Sequence, residues 1–180
     1  LDVKRICYIN DLGKQAATLL FGYQKLANGK EPKGKPDVWL GNIYFNISKE
    51  IGENKELENQ VFDTIKKYEK GDKEVRKLGD ILFKKWCLKG FEENWKNLGI
   101  NFDKIIWESE LIKKGEEMVE ELRKRNLTFE SEGATILKLE PDLPNTVLVR
   151  KDGTGLYLTR DLPLTIWKFE KFKPDINIFS

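Results

Sequence analysis

A carboxylate and a phenol stand four residues apart near the end of the chain, where Tyr157 and Asp161 lie within the run 151–163. A carboxylate accepts a guanidinium group through two parallel hydrogen bonds, which supply charge and planar geometry together. A tyrosine one helical turn earlier can stack on such a ligand, provided that both side chains leave the same helical face. The pair is therefore a candidate site for a small cationic ligand. The alternative is structural, with Asp161 as a helix cap and Tyr157 as a packing residue.

The residues around this pair predict a junction between a strand and a helix. Two short clusters rich in β-branched residues, 134–139 and 146–150, favour strands, and residues 152–153 (Asp-Gly) have the composition of a hairpin turn. Beyond the pair, apolar residues recur at helical spacing, which predicts a helix with Thr159 or Asp161 as its N-cap.

A second polar turn follows an apolar cluster near the start of the chain. Residues 6–9 predict a buried strand, and the apolar stripe over residues 15–26 predicts a helix. A strand, a tight polar turn and a helix N-terminus are the parts of a mononucleotide-binding half-fold. The candidate nucleotide-proximal residues are Asn10, Asp11, Gly13 and Gln15. The alternative, which the residues leave open, is that Asn10 and Asp11 serve only as turn and cap residues.

Composition argues against several kinds of chemistry. The 180 residues include no histidine, which removes histidine-based acid–base catalysis, triads and metal ligands. Cys7 and Cys87 lie far apart without metal-ligand companions, so we predict no metal site and reduced thiols, as in a cytoplasmic protein. No apolar run reaches the length of about 18 residues that a membrane helix needs, so we expect no membrane partner.

We expect an α/β fold built on a partial Rossmann-like nucleotide-binding core. Residues 1–38 and 151–180 are predicted to be parts of this core, interrupted by a long excursion of the chain. The apolar residues 174–179 predict a buried strand that returns to the core sheet. The core is thus expected to be assembled from both ends of the chain.

Residues 39–150 are predicted to form a mainly helical insertion with a small β-hairpin. Strands are expected near 102–107 and within 127–150. Glu108 and Glu110 stand at a predicted helix start, where paired acids suggest acid–base catalysis but also complement the helix dipole. We favour the structural role and assign no catalytic residue.

The basic residues of the predicted insertion also allow two interpretations. The 32 basic residues of the chain are nearly balanced by 30 acidic ones, so the net charge does not indicate nucleic-acid binding. These residues either line a local surface that faces RNA or form a solvated helical face with local ion pairs. They are Lys66, Lys67, Lys70, Lys73, Arg76, Lys77, Lys84, Lys85, Lys89 and Lys96.

Several short runs resemble segments of arginyl-tRNA synthetases, the class I enzymes that charge tRNA with arginine using ATP. Residues 152–162 (DGTGLYLTRDL) are similar to the arginine-site segment, and residues 8–15 (YINDLGKQ) are similar to the NDLGKQ-type segment. Between them, residues 102–103, 108–110 and 130–134 match in the order that the family shows. Several spaced matches in one order are more specific than any single match.

The resemblance implies that Tyr157 and Asp161 contact the side chain of arginine. It implies L-arginine, ATP with Mg²⁺ and tRNA(Arg) as the substrates, with no tightly bound cofactor. It identifies residues 39–150 as the connective insertion between the two halves of the catalytic fold. The chain would then contribute the arginine pocket of an arginine–tRNA ligase.

The two ATP motifs of class I synthetases, the histidine-bearing HIGH and the lysine-bearing KMSKS types, are not in this sequence. We therefore expect a piece from inside a longer protein that does not catalyse by itself. Two other functions remain open. One is a non-catalytic helical module that binds RNA or protein, and the other is a synthetase-like paralogue that senses arginine.

Overall fold

The computed structural model describes residues 1–179 and divides into two units, one of residues 1–109 and one that begins at Glu110. A π-helical segment, Asp80–Cys87, joins two helices of the first unit, and a 3₁₀ turn, Glu108–Leu111, follows its last strand. The other elements of the first unit are β1 (Ile6–Ile9), α1 (Gly13–Leu26), α2 (Pro36–Glu53), α3 (Lys55–Glu69), α4 (Lys73–Gly79), α5 (Leu88–Asn97) and β2 (Lys104–Trp107).

The strands β1 and β2 pair in parallel, with Ile6 opposite Lys104 and Ile9 opposite Trp107. Parallel neighbours require a crossover connection, and the helices α1 to α5 provide it. Both strands occur where the sequence predicts them. The polar residues that follow each strand therefore lie at the same edge of this small sheet.

The core of the first unit lies where α1 packs against both α2 and α3. Leu20, Ile47 and Val61, one from each helix, are completely buried. At Gly22 the approach is so close that a Cβ would stand 2.7 Å from Cγ2 of Ile47. Burial of side chains of this kind contributes roughly 1.5–3 kcal/mol each.

The division of the chain into a core of residues 1–38 and 151–180 and an insertion of residues 39–150 stays a prediction.

The second unit combines helices with a three-stranded antiparallel sheet. Its elements are α6 (Ile112–Lys124), β3 (Thr128–Ser131), β4 (Ala134–Leu137), β5 (Thr146–Val149) and α7 (Leu158–Phe172), with the strands in the order β3-β4-β5. Glu132 and Gly133 both have positive φ, which suits the two-residue turn between β3 and β4. The predicted hairpin and its third strand are confirmed.

Two local predictions are wrong. Residues 174–179 form no strand, and Ile176 and Ile178 are 78% and 80% exposed, because no strand of the described residues pairs with this segment. The predicted N-caps do not cap either. Leu12 and Tyr157 occupy the N-cap positions of α1 and α7, and neither makes a side-chain cap hydrogen bond.

Candidate functional site

The first turn of α7 places Tyr157 and Asp161 on one face. Tyr157 has helical backbone angles, and its carbonyl oxygen accepts the N–H of Asp161 at 3.0 Å. Residues four apart in a helix are neighbours, with about 5–6 Å between their Cβ atoms. Tyr157 is 73% exposed, so it does not serve as a packing residue in its unit. The structure thus brings the two predicted residues together with the phenol ring open to solvent.

The carboxylate of Asp161 is half-buried and free to accept hydrogen bonds. Among residues 1–179, no hydrogen bond or ion pair engages its carboxylate oxygens. Burial raises the pKa of Asp161, while the charges of Arg160 and Lys168 act in the opposite direction. A partly desolvated carboxylate without a partner is stabilised by a cation that brings its own donors. This geometry suits a guanidinium ligand.

Arg160 holds the chain that leads into α7. Its Nη1 atom donates to the carbonyl oxygen of Gly155, to that of Leu156 at 3.2 Å, and to Oγ1 of Thr159 at 3.1 Å. The Thr159 hydroxyl in turn donates to the Leu156 carbonyl oxygen at 2.6 Å. These bonds fix the segment immediately before Tyr157. Arg160 is 8% exposed and acts from inside the unit.

The turn before this segment is itself built from short-range hydrogen bonds. Oδ1 of Asp152 accepts from the Thr154 backbone N–H at 3.0 Å and from its hydroxyl at 2.6 Å, and these bonds hold the pKa of Asp152 below its usual value. Gly153 has a φ of 83°, which favours glycine. An antiparallel bridge between Val149 and Gly155 closes the turn. The Asp-Gly hairpin turn predicted from the sequence is confirmed.

A close contact between α6 and α7 sets the position of the same helical turn. A Cβ at Gly115 would stand 2.2 Å from the carbonyl oxygen of Thr159. Pro163 lies inside α7 and has no N–H, so this carbonyl lacks its usual intrahelical donor. Only glycine lets α6 approach that oxygen. The first turn of α7 is therefore held by Gly115 on one side and by Arg160 on the other.

The second candidate turn lies at the carboxyl edge of the β1–β2 pair. Oδ1 of Asn10 accepts the N–H of Leu12 at 2.9 Å, and Gly13 begins α1 with a φ of 75°. Asn10, Gly13 and Gln15 are exposed. Ligands of parallel sheets bind outside the carboxyl ends of the strands, which is the edge these residues occupy.

Asp11 differs from its neighbours because it is 1% exposed. Its Oδ1 accepts the N–H of Ser109 at 2.8 Å, and its Oδ2 accepts the hydroxyl of Tyr68 at 3.1 Å. The residue after β1 is thereby tied to the residues after β2 and to α3. Burial, with the charge of Asp11, raises the pKa of Tyr68, so its hydroxyl remains protonated and available as a donor. The structure gives Asp11 a positioning role.

Sequence reasoning missed Arg160, Tyr68 and Ser109 as parts of these arrangements. Arg160 gives no signal in the sequence, because its partners are backbone carbonyl oxygens, which every residue carries. Tyr68 follows the apolar stripe of α3 and gives no such signal. Its partner Asp11 lies 57 residues away in the sequence.

Cysteine and carboxylate side chains form no metal-binding site in the described part of the chain. No group of three or more carboxylate or thiol side chains there is arranged to hold a metal ion. Cys7 and Cys87 are both free, and burial, aided by Asp37, raises the pKa of Cys87 to about 11. Between residues 1 and 179, no helix has the length and apolar character to cross a membrane.

A family model described as the catalytic domain of class I tRNA synthetases (R) matches residues 1–180. The chain belongs to this synthetase family. The arginine–tRNA ligase of Methanothermobacter thermautotrophicus is 34% identical over 99% of this chain and 32% of its own length. The arginine–tRNA ligase of Archaeoglobus fulgidus is 35% identical, again over 99% of this chain and 32% of its own length. The synthetase chain described here thus spans about a third of these relatives.

Solved synthetase structures share the fold. The arginyl-tRNA synthetase of Plasmodium falciparum superposes with a TM-score of 0.72 at 17% identity, covering 96% of this chain and 29% of that one. A putative arginyl-tRNA synthetase from Campylobacter jejuni gives a TM-score of 0.56 at 19% identity, covering 93% of this chain and 36% of that one. The mixed α/β fold with small sheets is therefore that of a synthetase of this family.

Proposed function

We propose that this protein works as an arginine–tRNA ligase and that the first turn of α7 supplies its pocket for the arginine side chain. The observation that carries the proposal is the half-buried carboxylate of Asp161, which has no hydrogen-bond or ion-pair partner among residues 1–179 and lies one turn from the exposed Tyr157. Membership of the family supports the class of reaction, and this site supports the choice of amino acid.

Asp161 is proposed to accept the guanidinium group of L-arginine through two parallel hydrogen bonds, with Tyr157 stacked on the planar group or bonded to it. Arg160 and Lys168 place positive charge near this carboxylate but leave its oxygens unoccupied. A neutral amino acid would displace water from the carboxylate without replacing the hydrogen bonds that this water donated, which is unfavourable. Lysine offers only a point charge and does not match the planar pair of acceptors.

The chemistry that this recognition serves needs no protein nucleophile. The carboxylate of arginine attacks the α-phosphate of ATP, which forms arginyl adenylate and releases pyrophosphate. The 3′-terminal adenosine of tRNA(Arg) then takes the arginyl group and AMP leaves. Rate acceleration in both steps comes from positioning the reactants and from stabilising charge on phosphate, so we assign no catalytic residue to this chain. ATP with Mg²⁺ is a substrate here, and we propose no tightly bound cofactor.

Asn10, Gly13 and Gln15 are proposed to lie close to the nucleotide. They are exposed at the carboxyl edge of β1 and at the N-terminus of α1, where backbone N–H groups favour phosphate. The buried Asp11 fixes this turn through its hydrogen bonds to Ser109 and Tyr68. A Rossmann-like core shared by residues 1–38 and 151–180, with residues 39–150 as its insertion, is part of the same proposal, as is a cytoplasmic location.

Steady-state ATP–pyrophosphate exchange tests the assignment in an enzyme that carries this chain together with the two ATP motifs, because the chain is not expected to catalyse by itself. Asp161→Asn is expected to raise the KM for arginine by at least about 100-fold, since hydrogen bonds to charged groups contribute roughly 1.5–3 kcal/mol each. The KM for ATP should stay within about threefold, because no ATP contact is removed. The matched control is Asp142→Asn, which makes the same change at an exposed position. Equal losses for arginine and ATP would reject Asp161 as the arginine-specific residue.

A further inference from the structure

The turn between α3 and α4 is a rigid, strongly basic element that the proposed function does not use. Gly71 has a φ of 80°, its N–H donates to the carbonyl oxygen of Tyr68 at 3.1 Å, and the N–H of Asp72 donates to that of Lys67 at 2.9 Å. This pair of bonds is a Schellman motif that ends α3. Oδ1 of Asp72 then caps α4 by accepting the N–H groups of Glu74 and Val75, both at 3.1 Å. The turn is therefore fixed at both ends.

Four lysines surround an open concavity at this turn, which we call the lysine concavity. Its lining consists of Asp63, Lys66, Lys67, Lys70, Gly71, Asp72 and Lys73. All four lysines are exposed, and in the described chain none of their ammonium groups has a carboxylate within ion-pairing distance. Other lysines of the same unit do pair, as Lys14 does with Glu58 at 2.6 Å and Lys84 with Asp80 at 3.0 Å. Four unpaired ammonium groups therefore lie around this one turn.

The local charge of the lysine concavity is as large as that of the whole chain, because four lysines stand there against two aspartates, Asp63 and Asp72. The formal net charge of the protein is only +2. Between residues 66 and 77, six basic side chains face three acidic ones, which are Lys66, Lys67, Lys70, Lys73, Arg76 and Lys77 against Glu69, Asp72 and Glu74. Oδ1 of Asp72 accepts its two cap hydrogen bonds, and the Arg76 guanidinium lies over the ring of Tyr68, 4.3 Å from its centroid. The four lysines keep a local positive field that ion pairs do not neutralise.

We propose that the lysine concavity binds the phosphate backbone of RNA. Phosphate contacts by lysine release condensed counterions and supply affinity without reading sequence. A concave, preformed turn suits a strand-like polyanion, whereas a flat membrane surface contacts convex protein surfaces. Phe62, one turn before Lys66 on α3, is 44% exposed and offers a ring on which an unpaired base can stack. This proposal deepens the proposed function, on which it depends only for naming the RNA as tRNA.

The experiment compares two variants that lose the same charge. The first replaces Lys66, Lys67, Lys70 and Lys73 by glutamine. The control makes the same change at four other exposed lysines of the first unit that have no ion pair among the described residues, Lys30, Lys33, Lys55 and Lys104. Binding of a fluorescent tRNA(Arg) transcript to the purified protein is followed by anisotropy over a range of salt concentrations. Binding to vesicles of anionic phospholipid is measured in parallel by co-sedimentation. Circular dichroism and thermal unfolding establish that both variants fold.

The concavity variant is expected to bind the transcript at least about tenfold more weakly at low salt, and the slope of log K against log salt should fall by roughly 0.7–0.9 for each phosphate that the variant no longer neutralises. The control should stay within about threefold of the parent protein. Equal weakening of both variants, or no weakening of either, would overturn the proposal. So would a concavity variant that keeps RNA binding but no longer binds the vesicles, which would indicate a membrane instead.

Failure of this proposal is distinguishable from failure of the proposed function. Asp161→Asn should leave binding of the transcript unchanged while it removes arginine binding. The concavity variant should show the reverse, with arginine binding intact and transcript binding weakened. Loss of both ligands in the concavity variant would mean that these lysines act through the fold, and it would overturn the assignment to an RNA surface.

Discussion

The backbone of Tyr157 accepts a hydrogen bond from Asp161 at 3.0 Å, so the phenol and the carboxylate leave the same face of α7 one turn apart. The phenol is exposed, and the carboxylate is half-buried without a hydrogen-bond partner within residues 1–179. Arg160 and Gly115 hold the turn that carries them. A preorganised pair of this kind loses little conformational entropy when it binds a planar cation.

Asp161 is expected to reduce the stability of the free protein at neutral pH. Burial raises its folded-state pKa, so folding favours the neutral carboxyl group. The stabilising contribution of that neutral form is complete below the unfolded pKa of about 3.9 and is lost as the pH rises through the folded-state pKa. Asp161→Asn should therefore have a melting temperature at pH 7 equal to or above that of the parent protein. Melting curves from pH 3 to 8 test this, and a clearly less stable variant at pH 7 would count against it.

Arg160 is expected to be a positioning residue for the same site. Arg160→Met removes the donor to the Gly155 carbonyl oxygen, and a buried acceptor left unsatisfied costs roughly 1–3 kcal/mol, whereas the Leu156 carbonyl oxygen keeps its bond from the Thr159 hydroxyl. The freed segment should also lower the affinity for arginine. The control is Arg150→Met, which removes an exposed guanidinium from the same hairpin. Equal effects of the two substitutions on stability and on arginine affinity would contradict this role.

Gly115 is expected to tolerate no side chain. Gly115→Ala forces α6 away from the carbonyl oxygen of Thr159, which lies 2.2 Å from the new Cβ position, and overpacking of this kind costs typically about 1–3 kcal/mol. The matched control is Gly41→Ala in α2, where nothing lies within 4 Å and alanine should stabilise the helix by roughly 0.5–1 kcal/mol. Chemical denaturation measures the free energy of unfolding of both variants. We expect it to fall in Gly115→Ala and to rise in Gly41→Ala.

Tyr68 is expected to stabilise the protein through its hydroxyl group. Tyr68→Phe removes the donor to Oδ2 of Asp11 and leaves a carboxylate that is 1% exposed with one fewer hydrogen bond, at a cost of about 1–3 kcal/mol. Tyr44→Phe is the control, because no hydrogen bond of the Tyr44 hydroxyl occurs among the described residues, and it should change stability by less than about 0.5 kcal/mol. Similar losses in both variants would show that the Asp11 contact contributes little.

Local patterns in the sequence predict most of the elements. The apolar run 6–9, the apolar stripe 15–26 that becomes α1 and the Asp-Gly turn at 152–153 are each predicted from neighbouring residues, and each forms where expected. The pairing of β1 with β2 joins residues 98 apart and has no local signature. Residues 174–179 show what a local pattern does not predict, since an apolar β-branched run becomes a strand only where another strand pairs with it.

The part of the candidate site that depends on neighbouring residues was predictable from the sequence. Tyr157 and Asp161 are four residues apart, so helical geometry alone brings them together. Asp11 does not cap α1 because its carboxylate accepts hydrogen bonds from two distant partners, Tyr68 and Ser109, which short-range rules do not identify. Arg160 bonds to carbonyl oxygens, which every residue carries, so composition does not mark its role.

Calorimetric titration of the purified protein with L-arginine tests the central claim most directly. Citrulline, the neutral analogue of nearly the same shape, and lysine serve as ligand controls, and the series is repeated with Asp161→Asn. We predict that arginine binds, that citrulline and lysine bind at least about 100-fold more weakly, and that the variant loses the preference for arginine. Equal affinity for arginine and citrulline, or unchanged arginine affinity in the variant, would contradict the assignment of Asp161 as the residue that reads the guanidinium group.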